Sequence, residues 1–282
     1  MDEGQDGLAC HFVAAVPNGR LVVYNPGHFS TVADGSDWTN DGWAGYGDQR
    51  TVQALLDSGN GVLVSFMPHY RPDDIPPYGV DPHVAMFTSL HPAAGSPWKY
   101  FIQPITDSLN YLADATVAAS VGFAPYTELD MLGLSGGGWT TVIVAAVDPR
   151  IRTSIQVAGS EPFDFWNGYA SQDELSLPAL YRVAAYRDLY VLGAAGQGRS
   201  QLQILNRHDD CCFCPGWAWG PADTWDESLR SYEAAVQARL AAMGDPGTFA
   251  LEVDETSPRH QISRDALTRL ILPRFSVSVS TR

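Results

Sequence analysis

The sequence predicts an α/β fold, a doubly wound and mostly parallel β-sheet with helices on both faces. Three observations lead there. Short apolar runs alternate with segments of helical periodicity along the chain. The recurring order strand–helix–strand implies crossover connections and parallel pairing. Finally, Leu129–Val147, LDMLGLSGGGWTTVIVAAV, places one serine and three glycines between an apolar strand and an apolar helix.

In chain order, LACHFVAAV and GRLVVYNPG read as two strands joined by a turn at Pro17, Asn18 and Gly19. DQRTVQALLDSG puts Val52, Leu55 and Leu56 on one helical face and stops at Gly59. GVLVSFMPHY is an apolar, buried strand. Residues 67–98 are rich in Pro, Asp and His and form a long irregular excursion, a feature that is often functional. A helix begins near Tyr100 with Ile105, Leu109 and Leu112 on one face. After the serine unit comes strand RTSIQVAGS, and then a partly helical stretch, 161–200, bearing Trp166, Tyr169, Tyr181, Tyr186 and Tyr190. Strand QLQILN ends in an RHDD turn, and a helix around DESLRSYEAAVQARLAAMG leads to strand TFALEVDE. The turn TSPRHQIS precedes a C-terminal helix with Leu267, Leu270 and Ile271. No repeat, low-complexity tract or linker divides the 282 residues, so residues 1–282 read as one domain.

Composition narrows the function classes. With 45% hydrophobic and 17% charged residues the chain can bury a large core. No apolar stretch reaches the roughly 18 residues a membrane helix needs. A formal net charge of −15 repels nucleic acid and anionic membranes, so neither is an expected partner, and nothing specifies an oligomeric state. The start MDEGQDGLAC lacks the basic and apolar regions of a secretory signal, although it fits a mature N-terminus behind an added Met.

The cysteines are Cys10, Cys211, Cys212 and Cys214, three of them in HDDCCFCPGW beside His208. Zinc knuckles separate their thiolates by two or more residues, so this spacing argues against a metal site. A disulfide within the cluster is expected, with free buried thiols as the alternative. A disulfide favours an oxidising compartment, hence a secreted or periplasmic protein.

Gly133, Ser135 and Gly137 satisfy G-x-S-x-G, the pattern of a strained strand-to-helix turn that projects a serine hydroxyl. The bland alternative is a glycine-rich loop that lets a helix approach a sheet. A dinucleotide fingerprint needs glycine where Ser135 stands, and a phosphate loop needs a Lys-Ser/Thr pair after the glycines; neither occurs. A serine nucleophile needs a base, and the base needs an orienting group. Sites of doubly wound sheets lie beyond the carboxyl ends of the strands. Asp209 and Asp210 follow strand 201–206 and His260 follows strand 248–254, which gives the chain order serine, acid, histidine. Each also has an ordinary reading, the aspartates as turn residues and His260 as a satisfied histidine. His28, His69 and His83 read as lining residues near the mouth, and Phe29, Trp38, Trp43 and Trp98 equally as pocket lining or core.

These segments together resemble the α/β-hydrolase superfamily over nearly the whole chain: GLSGGG as nucleophile elbow, NRHDD as acid turn, PRHQIS as histidine turn and YNPGHFS as oxyanion loop. Pro26-Gly27 followed by one residue resembles capless polyester and dienelactone-type hydrolases, which implies no large separate cap domain. The resemblance implies an oxyanion hole from the backbone N–H groups of His28 and Gly136. It also selects Asp209, three residues after Asn206, as the triad acid, and leaves Asp210 to cap backbone N–H groups near Cys211 and Cys212. The expected function is cleavage of a carboxylic ester, in a small molecule or attached to a polymer, by Ser135, Asp209 and His260 without metal or organic cofactor. Acyl transfer by the same residues and a non-catalytic binding role are the alternatives. The segment DDCCFC and the 67–98 stretch depart from familiar subfamilies.

Overall fold

A computed structural model describes residues 9–28, 47–69, 82–89, 96–165, 174–215 and 224–276. Phe29, Trp38, Trp43, Trp166 and Tyr169 lie outside them. Among the described residues seven strands form one sheet: β1 (Ala9–Phe12), β2 (Arg20–Asn25), β3 (Gly61–Ser65), β4 (Glu128–Leu134), β5 (Ile151–Val157), β6 (Ser200–Asn206) and β7 (Thr248–Asp254). Their order is β1-β3-β2-β4-β5-β6-β7. Only β1 runs antiparallel, against β3; every other pairing is parallel.

The turn at residues 17–19 therefore does not make β1 and β2 neighbours. Asn18 is tied instead to the loop that feeds β3: its backbone N–H donates to Gly59 O at 2.9 Å, and its side chain donates to Ser58 O and Asn60 Oδ1, both at 3.1 Å. That tether places the 17–19 turn beside the start of β3.

The helices are α1 (Asp48–Asp57), α2 (Pro82–Ser89), α3 (Lys99–Ala113), α4 (Ala115–Val121), α5 (Gly136–Val147), α6 (Pro178–Tyr181), α7 (Tyr186–Ala194) and α8 (Trp225–Ala242). α2 lies inside the stretch expected to be irregular, where a proline at its first position, Pro82, and a short length hide its periodicity. The C-terminal segment closes in a π-helical turn, Ala266–Ile271, rather than an α-helix.

The period-two alternation of the strands sorts the core into two layers. Val22, Tyr24, Val62, Val64, Leu132, Leu134, Ile155 and Ile204 face Val52 and Leu55 of α1 and Ile262, Leu267, Ile271 and Phe275. Leu21, Val23, Leu63 and Met131 face the other way, toward Ile105, Leu109 and Leu112 of α3 and Val144 and Ala145 of α5. Each fully buried side chain of this size contributes about 1.5–3 kcal/mol relative to exposure. Tyr181, Tyr186 and Tyr190 join a third cluster with Trp139 of α5 and with α8. Helix α5 is apolar all round because it is covered all round, and ten of its residues, from Gly136 to Ala145, are buried. Among the described residues no second sheet builds a cap.

Candidate active site

Ser135 sits between β4 and α5 with φ 58° and ψ −130°, a conformation that L-residues rarely adopt. The turn is held from both sides. Ser135 N–H donates to Val157 O at 2.9 Å, and Ser135 O accepts from Trp139 N–H at 3.0 Å. Its hydroxyl does not cap α5. The glycines around it are required by contact. A Cβ on Gly133 would lie 2.0 Å from Gly137 O, and one on Gly137 would lie 1.9 Å from Asn25 O. Neither neighbour can yield, because both are backbone.

The turn after β2 rests on this elbow. Gly27 has φ +77° and donates its N–H to Asn25 Oδ1 at 3.1 Å. A Cβ on Gly27 would fall 2.5 Å from Leu134 O and 3.1 Å from Gly136 N. Gly136 opens α5, so its N–H has no acceptor within the helix. The imidazole of His28 lies over Gly136, where an added Cβ would come within 2.7 Å of His28 Cε1 and 2.6 Å of Met67 Sδ.

Beyond β6 and β7 the acid and histidine turns interlock. His260 Nδ1 lies 2.8 Å from Asp209 Oδ2 and 3.0 Å from Oδ1. A carboxylate only accepts, so Nδ1 carries the proton in this contact. Both side chains are buried. Asp209 Oδ1 also accepts from the N–H groups of Cys211 at 2.8 Å and Cys212 at 2.9 Å. This corrects the expected division of labour, since the cysteine N–H groups are capped by Asp209 itself. Asp210 turns the other way and accepts the backbone N–H of His260 at 2.8 Å. Two adjacent carboxylates thus hold one histidine by different atoms.

Asn206, in the sequence only the position from which Asp209 is counted, is the hinge of this arrangement. Its side-chain N–H groups reach Gln261 O at 2.9 Å and Arg259 O at 3.4 Å, and its backbone carbonyl accepts from Asp209 N–H at 3.3 Å. Asp254, at the end of β7, shapes the histidine turn by accepting from Thr256 N–H at 2.8 Å. The sulfurs of Cys211 and Cys212 lie 2.17 Å apart, a vicinal pair. Cys214 instead donates to Asp209 O at 3.2 Å.

His28 and His83 are more than lining. Both meet Glu174, a lone acid in SQDELSL that carries no sequence signature. Burial disfavours charge on Glu174, but His83 and His28 more than offset it and hold the carboxyl well below the usual carboxylate range. Glu161 lies buried four residues past the end of β5. Burial pushes it up to about 7, although it accepts from Trp225 Nε1 at 3.0 Å. Trp98 packs edge-on against Trp139 and Tyr181, as part of the core margin.

No protein-family profile and no curated protein matches the sequence. Solved structures do match the fold. A protein assigned as a dienelactone hydrolase from Klebsiella pneumoniae aligns at 17% identity and TM-score 0.51, covering 92% of this chain and 84% of its own. A Thermus thermophilus protein aligns at 12% identity and TM-score 0.57, over 95% and 91% of the two chains. A carbohydrate esterase family 15 glucuronoyl esterase from Caldicellulosiruptor kristjansonii aligns at 14% identity and TM-score 0.52, over 93% and 70%. At these identities the likeness establishes the α/β-hydrolase fold.

Proposed function

We propose that this α/β-hydrolase-fold protein is a serine hydrolase that cleaves a carboxylic ester through an acyl-enzyme on Ser135. The observation that carries the reading is the Asp209–His260 contact at 2.8 Å, formed beyond the carboxyl ends of β6 and β7 in a sheet whose central strand ends at a strained serine. Hydrolase and esterase neighbours of the same fold agree with it.

His260 Nε2 takes the Ser135 proton as Oγ bonds to the ester carbonyl carbon. The carbonyl oxygen becomes an oxyanion between the N–H groups of Gly136 and His28, where the N-terminus of α5 adds positive potential. Asp209 keeps the proton on Nδ1 and stabilises the imidazolium. The C–O bond to the alcohol then breaks, and His260 gives the alcohol its proton. A water enters, loses a proton to His260, attacks the acyl carbon and releases the carboxylic acid with Ser135 restored.

The substrate is an ester in a small molecule or attached to a polymer. The test is hydrolysis of p-nitrophenyl acetate, followed by a panel of short-chain, long-chain, acetylated-polysaccharide, feruloyl and polyester substrates. Ser135→Ala should lower kcat by roughly 10³ or more, because nucleophile and base act as a unit. Equal turnover in wild type and Ser135→Ala would sink the reading. Ester consumption that occurs only when an acceptor alcohol or amine is added would turn it into acyl transfer.

A further inference from the structure

Three side chains that take no part in the proposed chemistry converge beside the oxyanion turn. His28 Nε2 lies 3.3 Å from Glu174 Oε1 and 3.4 Å from His83 Nδ1, while His83 Nδ1 lies 3.0 Å from Glu174 Oε2. His83 and Glu174 are fully buried, and His28 is mostly so. They arrive from the turn after β2, from the first turn of α2 and from the segment before α6, so no local sequence pattern brings them together.

The hydrogen-bond partners constrain the cluster. Pro68 O can only accept, so His83 Nε2, at 2.9 Å, carries a proton and donates it there. In a neutral imidazole, Nδ1 is then a bare lone pair. That lone pair faces a carboxylate oxygen and a second imidazole nitrogen. One proton on His28 Nε2 can serve only one of the contacts it faces. Glu174 Oε2 is buried and receives no well-aligned hydrogen bond.

The geometry points to a metal ion held between these three side chains. Two imidazole nitrogens and a carboxylate oxygen are a common donor set for zinc. Zinc bonds of 2.0–2.1 Å in a tetrahedron set neighbouring donor atoms about 3.3 Å apart. The three contacts here span 3.0–3.4 Å. The donation from His83 Nε2 to a backbone carbonyl is also the outer contact that metal-ligating imidazoles make to fix their tautomer.

We propose that His28, His83 and Glu174 form a divalent-metal site, with Zn²⁺ as the fitting ion, that clasps the oxyanion turn to α2 and to the Glu174 segment. The ion has a positioning role and takes no step in ester cleavage. Its effect on the reaction runs through His28, whose ring lies against Gly136 and whose backbone belongs to the oxyanion turn. This differs from the metal-free site expected from the sequence. It does not depend on the ester reading, because every test below is a binding measurement.

The full chain, stripped with chelator, is titrated near neutral pH with ZnCl₂ in a calorimeter, with MgCl₂ in parallel. One Zn²⁺ should bind per chain, with a melting-temperature rise of roughly 5 °C or more at a hundredfold excess over Kd, and Mg²⁺ should do neither. Glu174→Gln and His83→Gln should each weaken Zn²⁺ binding by about 100-fold or more, since even outer-shell changes cost 10–100-fold. A Cys211→Ser/Cys212→Ser double variant should bind as wild type, which separates this site from the Cys211, Cys212 and His260 group. If the ligand variants do not fold, the Co²⁺ spectrum of the wild-type chain decides. Strong tetrahedral visible bands support the site, and weak octahedral bands overturn it. Binding only near millimolar Zn²⁺, or binding unchanged in Glu174→Gln, would also overturn it and leave a protonated His83 paired with Glu174.

Discussion

Asp209 accepts from an imidazole and two backbone N–H groups at once, so its substitutions separate chemistry from folding. In Asp209→Asn the remaining carbonyl oxygen still receives the Cys211 and Cys212 N–H groups, whereas the amide lets His260 take the wrong tautomer. Turnover should fall by about 10⁴ with circular dichroism unchanged. Asp210→Ala removes the acceptor of the His260 N–H, which should cost about 1–2 kcal/mol in urea unfolding and less than about tenfold in kcat. The reverse ranking would move the orienting role to Asp210. The nucleophile, base and acid candidates were legible because each follows a strand in a fixed chain order. The capping was not legible. Adjacent turn aspartates have equal local propensity, and only the fold decides which one faces His260.

At the scale of elements, close approach explains the glycines and burial explains one carboxyl. Gly137→Ala drives a Cβ into Asn25 O, backbone against backbone, and should cost about 3 kcal/mol or more. Gly122, also at positive φ but with nothing within 4 Å, should cost only about 1–2 kcal/mol on the same change. Urea denaturation of both variants checks the contrast. Glu161 gives the pH dependence. Its folded pKa is raised to about 7, so between the unfolded value and about 7 the folded state binds the extra proton. Stability therefore falls as pH rises through that window, by something of order 3 kcal/mol once both states are ionised. Glu161→Gln should raise the melting temperature above pH 7 and leave it nearly unchanged near pH 4. An equal effect at both ends would refute the assignment. Most strands and long helices were readable because their apolar periods are unbroken. The pairing of β1 with β3 was not, since a turn signal reports chain reversal and says nothing of a strand inserted later.

Over the whole molecule, 32 acidic residues against 17 basic ones make self-repulsion a destabilising field. Raising NaCl from about 10 mM to about 150 mM shortens the screening length from roughly 30 to 8 Å and should raise the melting temperature. A fall would show that attractive ion pairs, such as Arg20 with Glu128 and Asp130, dominate instead. The same long-range assembly explains why the His28–His83–Glu174 cluster was invisible in sequence, since its members share no spacing and meet only when the sheet has formed. The central claim is that this assembly delivers one activated serine. Treatment with a fluorophosphonate followed by peptide mass spectrometry tests it most directly. The account predicts a single adduct on Ser135 in the wild-type chain and strongly reduced labelling in His260→Ala; an adduct on another serine, or an active protein that takes up no label, would contradict it.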